Sequence, residues 1–148
     1  MEHILSVHRQ IDRRGWARGP WDDEPDRYEW EHNGTPCLAL RGQFGAWCGY
    51  AAVRKDSALY GRHYHDVPAD VHGGLTYAQP CRGDVCHPAQ GQVWWFGFDC
   101  SHAFDVSPGL EAIIVHFSPD HAPLGTYKDL EYVKQETERL AEQLNHGR

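Results

Sequence analysis

The chain has 148 residues, which suits one domain and leaves little room for two. Hydrophobic residues make up 41%, enough for a modest core, and the net charge of −7 argues against unaided binding to nucleic acid or to an anionic membrane. No apolar run is long enough to span a bilayer; the longest uninterrupted ones are Val93–Phe96 and Ala112–Val115.

The start, Met-Glu-His-Ile-Leu-Ser-Val-His, lacks a basic segment followed by an apolar one, so no secretory signal is expected. Five cysteines are present at 37, 48, 81, 86 and 100. An odd number without a leader predicts reduced thiols and a cytoplasmic location. Eleven histidines and six tryptophans are an unusual enrichment, and they direct the search for a site.

Taken in chain order, Ile4, Val7 and Ile11 recur at spacings of three and four, which predicts a short N-terminal helix within residues 1–18. Gly19-Pro20 ends it. Trp21-Asp22-Asp23-Glu24-Pro25-Asp26 reads as an acidic loop pinned by Trp21, or as a carboxylate cluster beside a site. Tyr28–Glu31, Cys37–Arg41 and Trp47–Val53 read as three strands in series, with Asn33-Gly34 as a type I′ hairpin turn. Residues 54–70 look irregular. Leu75–Ala78 is a short strand, Pro80–Gln92 a long loop, and Val93–Asp99 a central strand apolar on both faces. Ala112–Phe117 is a further buried strand candidate.

Thr126 with Asp129 suggests a capping box, opening a helix over residues 127–145. Leu130, Val133, Thr137, Leu140, Ala141 and Leu144 form its apolar stripe. The expected fold is α+β: one domain spanning 1–148, with an antiparallel-rich sheet and the C-terminal helix packed on one face.

Two segments carry candidate chemistry. In Asp70-Val71-His72-Gly73-Gly74-Leu75-Thr76-Tyr77, the glycines permit positive φ or close backbone approach beside a histidine. In extended geometry Asp70, His72 and Thr76 would share a face. In Trp94-Trp95-Phe96-Gly97-Phe98-Asp99-Cys100-Ser101-His102-Ala103-Phe104-Asp105, a core strand ends in polar residues. Alternation puts Trp95, Gly97 and Asp99 on one face. Asp99 would orient the His102 imidazole, or simply cap the following turn.

A pocket between these segments would use His72, His102 and Asp99 as its acid–base groups. Gly73, Gly74, Thr76, Tyr77, Trp95, Asp105 and Trp21 would be its ligand contacts. Cys100 paired with a histidine would be a nucleophile, but alternation groups it with the aromatics of the core. No metal site is expected: His63, His65 and His72, or Cys81, Cys86 and His87 with Cys100 or His102, match no strong ligand spacing. His3, His8, His32, His121 and His146 sit in polar or terminal segments and are set aside.

Gly-Pro-Trp-Asp-Asp-Glu-Pro-Asp (19–26), Cys-Gly-Tyr (48–50), Val-His-Gly-Gly-Leu-Thr-Tyr-Ala (71–78), Trp-Trp-Phe-Gly-Phe-Asp-Cys-Ser-His (94–102) and Tyr-Lys-Asp-Leu-Glu-Tyr-Val (127–133) occur in that order. This series resembles a family of small proteins of bacteriophages and of bacterial genomes that carry phage-derived DNA. The resemblance spans roughly residues 19–145. It is a family label without an assigned activity. What it implies is a setting, in which small accessory phage proteins bind or degrade host molecules, nucleotide immune signals among them.

Three functions then compete. The first is a binding module for a small nucleotide-like or phosphorylated ligand, with aromatic faces for stacking and polar groups for phosphate. Trp21, Trp47, Trp95 and Tyr77 are the candidate stackers. The second is a hydrolase of phosphodiesterase type in the same pocket, with His72 or His102 as general base and Asp99 orienting it. The third is a protein–protein interaction module with no small ligand. A small molecule is the expected partner, neither nucleic acid nor membrane is, and self-association and any cofactor are left open.

Overall fold

The computed structural model describes residues 3–8, 11–86 and 92–146. The described residues form a six-stranded antiparallel sheet and two α-helices, an α+β fold with the C-terminal helix laid across one sheet face. The strands are β1 (His3–Val7), β2 (Arg27–His32), β3 (Thr35–Arg41), β4 (Trp47–Arg54), β5 (Tyr77–Pro80) and β6 (Val93–Asp99). Their spatial order is β1-β2-β3-β4-β6-β5. The helices are α1 (Pro108–Phe117) and α2 (Leu130–His146), and short 3-10 turns occur at Pro20–Asp23 and Tyr64–Asp66.

The β2–β3 hairpin turns at Asn33-Gly34, both at positive φ, as a type I′ turn requires. Strand β6 lies inside the sheet between β4 and β5, in keeping with its unbroken apolar run. Trp30, Ala39, Trp47, Ala51, Phe96, Phe98 and Cys100 form the main core with Val133, Leu140, Ala141 and Leu144 of α2. The other face buries Leu38, Tyr50, Ala52, Val85, Val93 and Trp95. Helix α2 seats closely because β4 carries Gly49 beneath it. A Cβ there would overlap Thr137 Oγ1 and the Phe98 ring.

Two element assignments are corrected. The N-terminal segment is strand β1, not a helix, and pairs with β2 from His3 to Val7. A short isolated helix is marginal, whereas pairing on an open strand edge satisfies the same backbone groups. Ala112–Phe117 is not a buried strand; it is the greater part of α1, and much of it is exposed. An apolar run without alternation fits either structure. Pro108 at the first turn and the Glu111 N–H donating to Ser107 O (2.9 Å) start the helix.

Helix α2 also begins later than Thr126 would place it. Asp129 is its cap, its carboxylate accepting from Tyr132 N (2.9 Å). The cysteines are not all reduced: Cys81 and Cys86 form a disulfide across a tight turn closed by an Arg82–Val85 bridge, and Cys37, Cys48 and Cys100 are not disulfide-bonded. The turn brings the two Cα atoms to 4.6 Å, within disulfide reach.

The acidic loop is largely turned inward. Asp22 and Asp23 are exposed, while Asp26 is buried with Arg41. Arg41 donates to Asp26 (2.8 Å) and Glu24 (3.0 Å), and Glu24 accepts from Leu130 N (2.7 Å) at the start of α2. These carboxylates join the loop, the sheet and α2. No described helix is long and apolar enough to cross a membrane.

Candidate functional site

The 71–77 segment does not run extended. It turns at His72-Gly73, with Gly73 and Gly74 at positive φ and Gly74 N donating to Val71 O (2.9 Å). Asp70 therefore does not share a face with His72. It is exposed and pairs with Arg139 (3.0 Å).

The turn places His72 between two elements. Its Nδ1 lies 2.8 Å from Tyr132 Oη on α2, and its Nε2 2.8 Å from Asp105 Oδ2. An ionised carboxylate only accepts, so Nε2 carries the proton and, in the neutral ring, Nδ1 accepts from the tyrosine hydroxyl. Both ring nitrogens are thus engaged.

Asp105 is the hub. It takes His72, the His102 N–H (3.0 Å) and Lys128 Nζ (3.1 Å). Burial pushes its carboxyl upward, but the donors from His72, His102 and Lys128 outweigh burial and hold it below the usual carboxylate range. Asp99 behaves alike. Burial raises it, while the Ser101 hydroxyl (2.8 Å), Ser101 N (3.2 Å), the Thr76 hydroxyl (3.1 Å) and the nearby His102 bring it down.

His102 Nε2 lies 3.4 Å from Asp99 Oδ1, so Asp99 both caps the turn and seats the imidazole. The two histidine rings are 5.7 Å apart. Gly73 packs against His102 so closely that a Cβ there would overlap Nε2. His72, Gly73, Thr76, Asp99, His102 and Asp105 therefore converge. Gly74 has open space around its Cβ position and contributes only the turn.

His102 and Asp105 line a cleft of about 520 Å³. Its walls come from the Gly42–Cys48 loop, from Ser101–Asp105, from Leu110, Glu111 and Ile114 of α1, and from His121 and Leu124. His121 Nε2 pairs with Glu111 (2.8 Å), giving the cleft a second imidazole held by a carboxylate. His121 is among the histidines set aside on sequence, and Glu111 is not singled out there. The members of the pair are ten residues apart and meet only because the chain returns along α1.

Three proposed ligand contacts lie elsewhere. Trp95 is fully buried in the cluster on the second sheet face. Tyr77 packs edge-on against Tyr50 at 5.1 Å beside that same cluster. Trp21 is buried edge-on against Tyr127 at 5.0 Å, its Nε1 donating to Ala17 O (2.9 Å). Trp47, named as a stacker, is also fully buried in the core. For Trp47 and Trp95 the reason is that a large aromatic lowers the free energy most where water is excluded, and the two sheet faces offer that. The apolar wall of the cleft comes instead from Phe44, Leu110, Ile114 and Leu124.

The thiols are poor nucleophiles. Burial, with the charge of Asp99 adding to it, pushes Cys48 up to about 11. Burial also raises Cys100 well above the ordinary thiol range, so both are protonated near neutrality. His63 and His65 stack on one another at 4.9 Å, and among the described residues no three ligating side chains come together to hold a metal. His87 lies outside the described residues. Comparison with protein-family models, with curated proteins and with solved structures finds no match for this chain.

Proposed function

We propose that the protein is a binding module that retains a small nucleotide-like or phosphorylated ligand in the cleft beside His102. The observation that carries this reading is the His102 imidazole on the cleft wall, seated by Asp99 and closed on one side by Gly73. Phe44, Leu110, Ile114 and Leu124 offer an apolar surface for a base, and His102, His121 and Ser107 offer donors for an anionic head. The volume of about 520 Å³ suits a ligand of that size. The resemblance to phage-encoded proteins supports a role in sequestering a host signal. His72 is better suited to positioning than to proton transfer, because neither ring nitrogen is available.

The second reading, hydrolysis of a phosphodiester, is favoured by one observation. Two carboxylate-held imidazoles share the cleft, and such a pair can supply base and acid. One experiment separates the readings. The full chain is incubated with a panel of linear and cyclic nucleotides, then heat-denatured, and the released small molecules are analysed. Intact ligand recovered in stoichiometric amount supports retention. A new product supports hydrolysis. No thermal shift and no retained molecule from the whole panel would reject both and favour an interaction module.

A further inference from the structure

The cleft beside His102 has an unusual charge make-up for a site that would hold phosphate. Its walls come from residues 42–48 and 101–124, and neither segment contains a lysine or an arginine. Lys128 reaches Asp105 but has no donor left for a ligand. The three N–H groups of its ammonium meet Asp105 (3.1 Å), the Thr126 carbonyl (3.1 Å) and the Thr126 hydroxyl (2.6 Å). The start of α1 adds little, because Pro108 lacks an N–H and Gly109 N donates to Phe44 O (2.7 Å). Among the described residues the cleft is therefore lined by no fixed cation. It is lined by two carboxylates, Asp105 and Glu111, with Asp99 3.4 Å from His102, and by Cys48 as a neutral thiol.

Positive charge there has to come from the imidazoles, and their partners make it conditional. His121 Nε2 faces Glu111 at 2.8 Å, and His102 Nε2 faces Asp99 at 3.4 Å. A carboxylate only accepts, so it draws the single proton of a neutral ring to Nε2. Nδ1 is then a bare lone pair, which repels a phosphate oxygen. It becomes a donor only when the ring takes a second proton. The other groups around His102 do not replace that charge. The His72 ring, 5.7 Å away, is held by Asp105 and Tyr132, and Asp105 accepts the His102 backbone N–H (3.0 Å).

We propose, on the reading of the cleft given above, that it selects a singly charged phosphodiester over a terminal phosphate and takes up protons on His102 and His121 as it binds. A diester carries one negative charge near neutrality, whereas a terminal phosphate approaches two. Two imidazolium rings match the diester. The extra charge of a terminal phosphate would face Asp105, Glu111 and Asp99 with no lysine or arginine to offset it. Sites that hold terminal phosphates use what is missing here, an arginine fork, a lysine or a row of free helix N–H groups. The proton uptake has its own signature. Where binding needs a proton, affinity falls about tenfold for each pH unit above the imidazole range.

Equilibrium dialysis of the full chain tests this with three probes: adenosine 3′,5′-cyclic monophosphate, adenosine 5′-monophosphate and adenosine, repeated with the other three bases. At about pH 7.5 the cyclic form of the best-retained base should bind at least about tenfold more tightly than its 5′-monophosphate. Between about pH 7.5 and pH 8.5 the cyclic form should weaken at least about tenfold, while the uncharged nucleoside, weaker throughout, should not change. Glu111→Gln removes one negative charge from the wall and should reduce the preference for the cyclic form at least about threefold. If that variant fails to fold, the comparisons on the unaltered chain still decide the matter. A 5′-monophosphate bound as tightly as the cyclic form, equal affinity for the cyclic form at both pH values, or a nucleoside bound as tightly as either would each overturn the inference and leave the cleft reading standing. If none of these probes is retained, the inference falls. The cleft reading falls with it only if the broader nucleotide panel also yields no retained molecule.

Discussion

His72 and His102 look equivalent in the sequence, and their surroundings make them different. His72 bridges Asp105 and Tyr132 with both nitrogens, so His72→Ala removes one hydrogen bond from each. Urea unfolding should show a loss of about 1–3 kcal/mol. His102 is 40% exposed at its side chain, and His102→Ala should abolish ligand retention while leaving the urea midpoint nearly unchanged. Gly73→Ala probes the same imidazole from the other side. A methyl group would displace His102 and would sit at φ of +69°, so retention should fall at least about tenfold in a chain that still folds. Equilibrium dialysis with a retained nucleotide measures this.

Acid stability depends on the same residues. Asp99, Asp105 and Asp26 all titrate below the ordinary carboxyl value when folded. Their stabilisation is complete above the unfolded-chain value of about 3.9 and is lost as pH falls through the lower folded values. Urea midpoints should drop steeply below about pH 4. A midpoint constant from about pH 5 to pH 3 would contradict this. Asp99, His102 and Thr76 could be picked out in the sequence because they lie at the end of the strongest strand and beside a paired glycine. Glu111 and His121 could not, since no local pattern links them.

At the scale of elements, periodicity worked where one face is buried and the other is wet. Helix α2 shows this: Val133, Thr137, Leu140, Ala141 and Leu144 are buried as the stripe requires. Its start was misjudged because both Thr126 and Asp129 are good caps, and only Asp129 meets the free N–H of Tyr132. Asp129→Ala should lower stability by about 0.5–2 kcal/mol, read as a drop in melting temperature, and Thr126→Ala should have a smaller effect. The expectation failed for β1 and α1, where spacing is ambiguous over a few residues. In β1 an available strand edge decided the outcome. In α1 the proline at its first turn did.

At the scale of the molecule, a buried charge network ties the N-terminal third of the chain to α2. Asp26 and Arg41 side chains are fully buried, and Tyr127 donates to Glu24. Burial raises the Asp26 carboxyl, but Arg13, the Ile11 N–H and Arg41 bring it below its usual value. Asp26→Asn removes one charge and leaves Arg41 buried without it, at a cost of about 3–5 kcal/mol in urea unfolding. Asp22→Asn, at an exposed position of the same loop, should cost almost nothing.

The amino-acid sequence by itself determined the α+β class, the hairpin at Asn33-Gly34, the central place of β6 and the amphipathic face of α2. Each of these rests on local chemistry or on short-range periodicity. Only the tertiary structure decided which histidine is held at both nitrogens, which tryptophans are buried away from the cleft, and which carboxylates are structural. Those outcomes depend on contacts between residues far apart in the chain, such as His72 with Tyr132 or Glu24 with Leu130, and no local pattern records them.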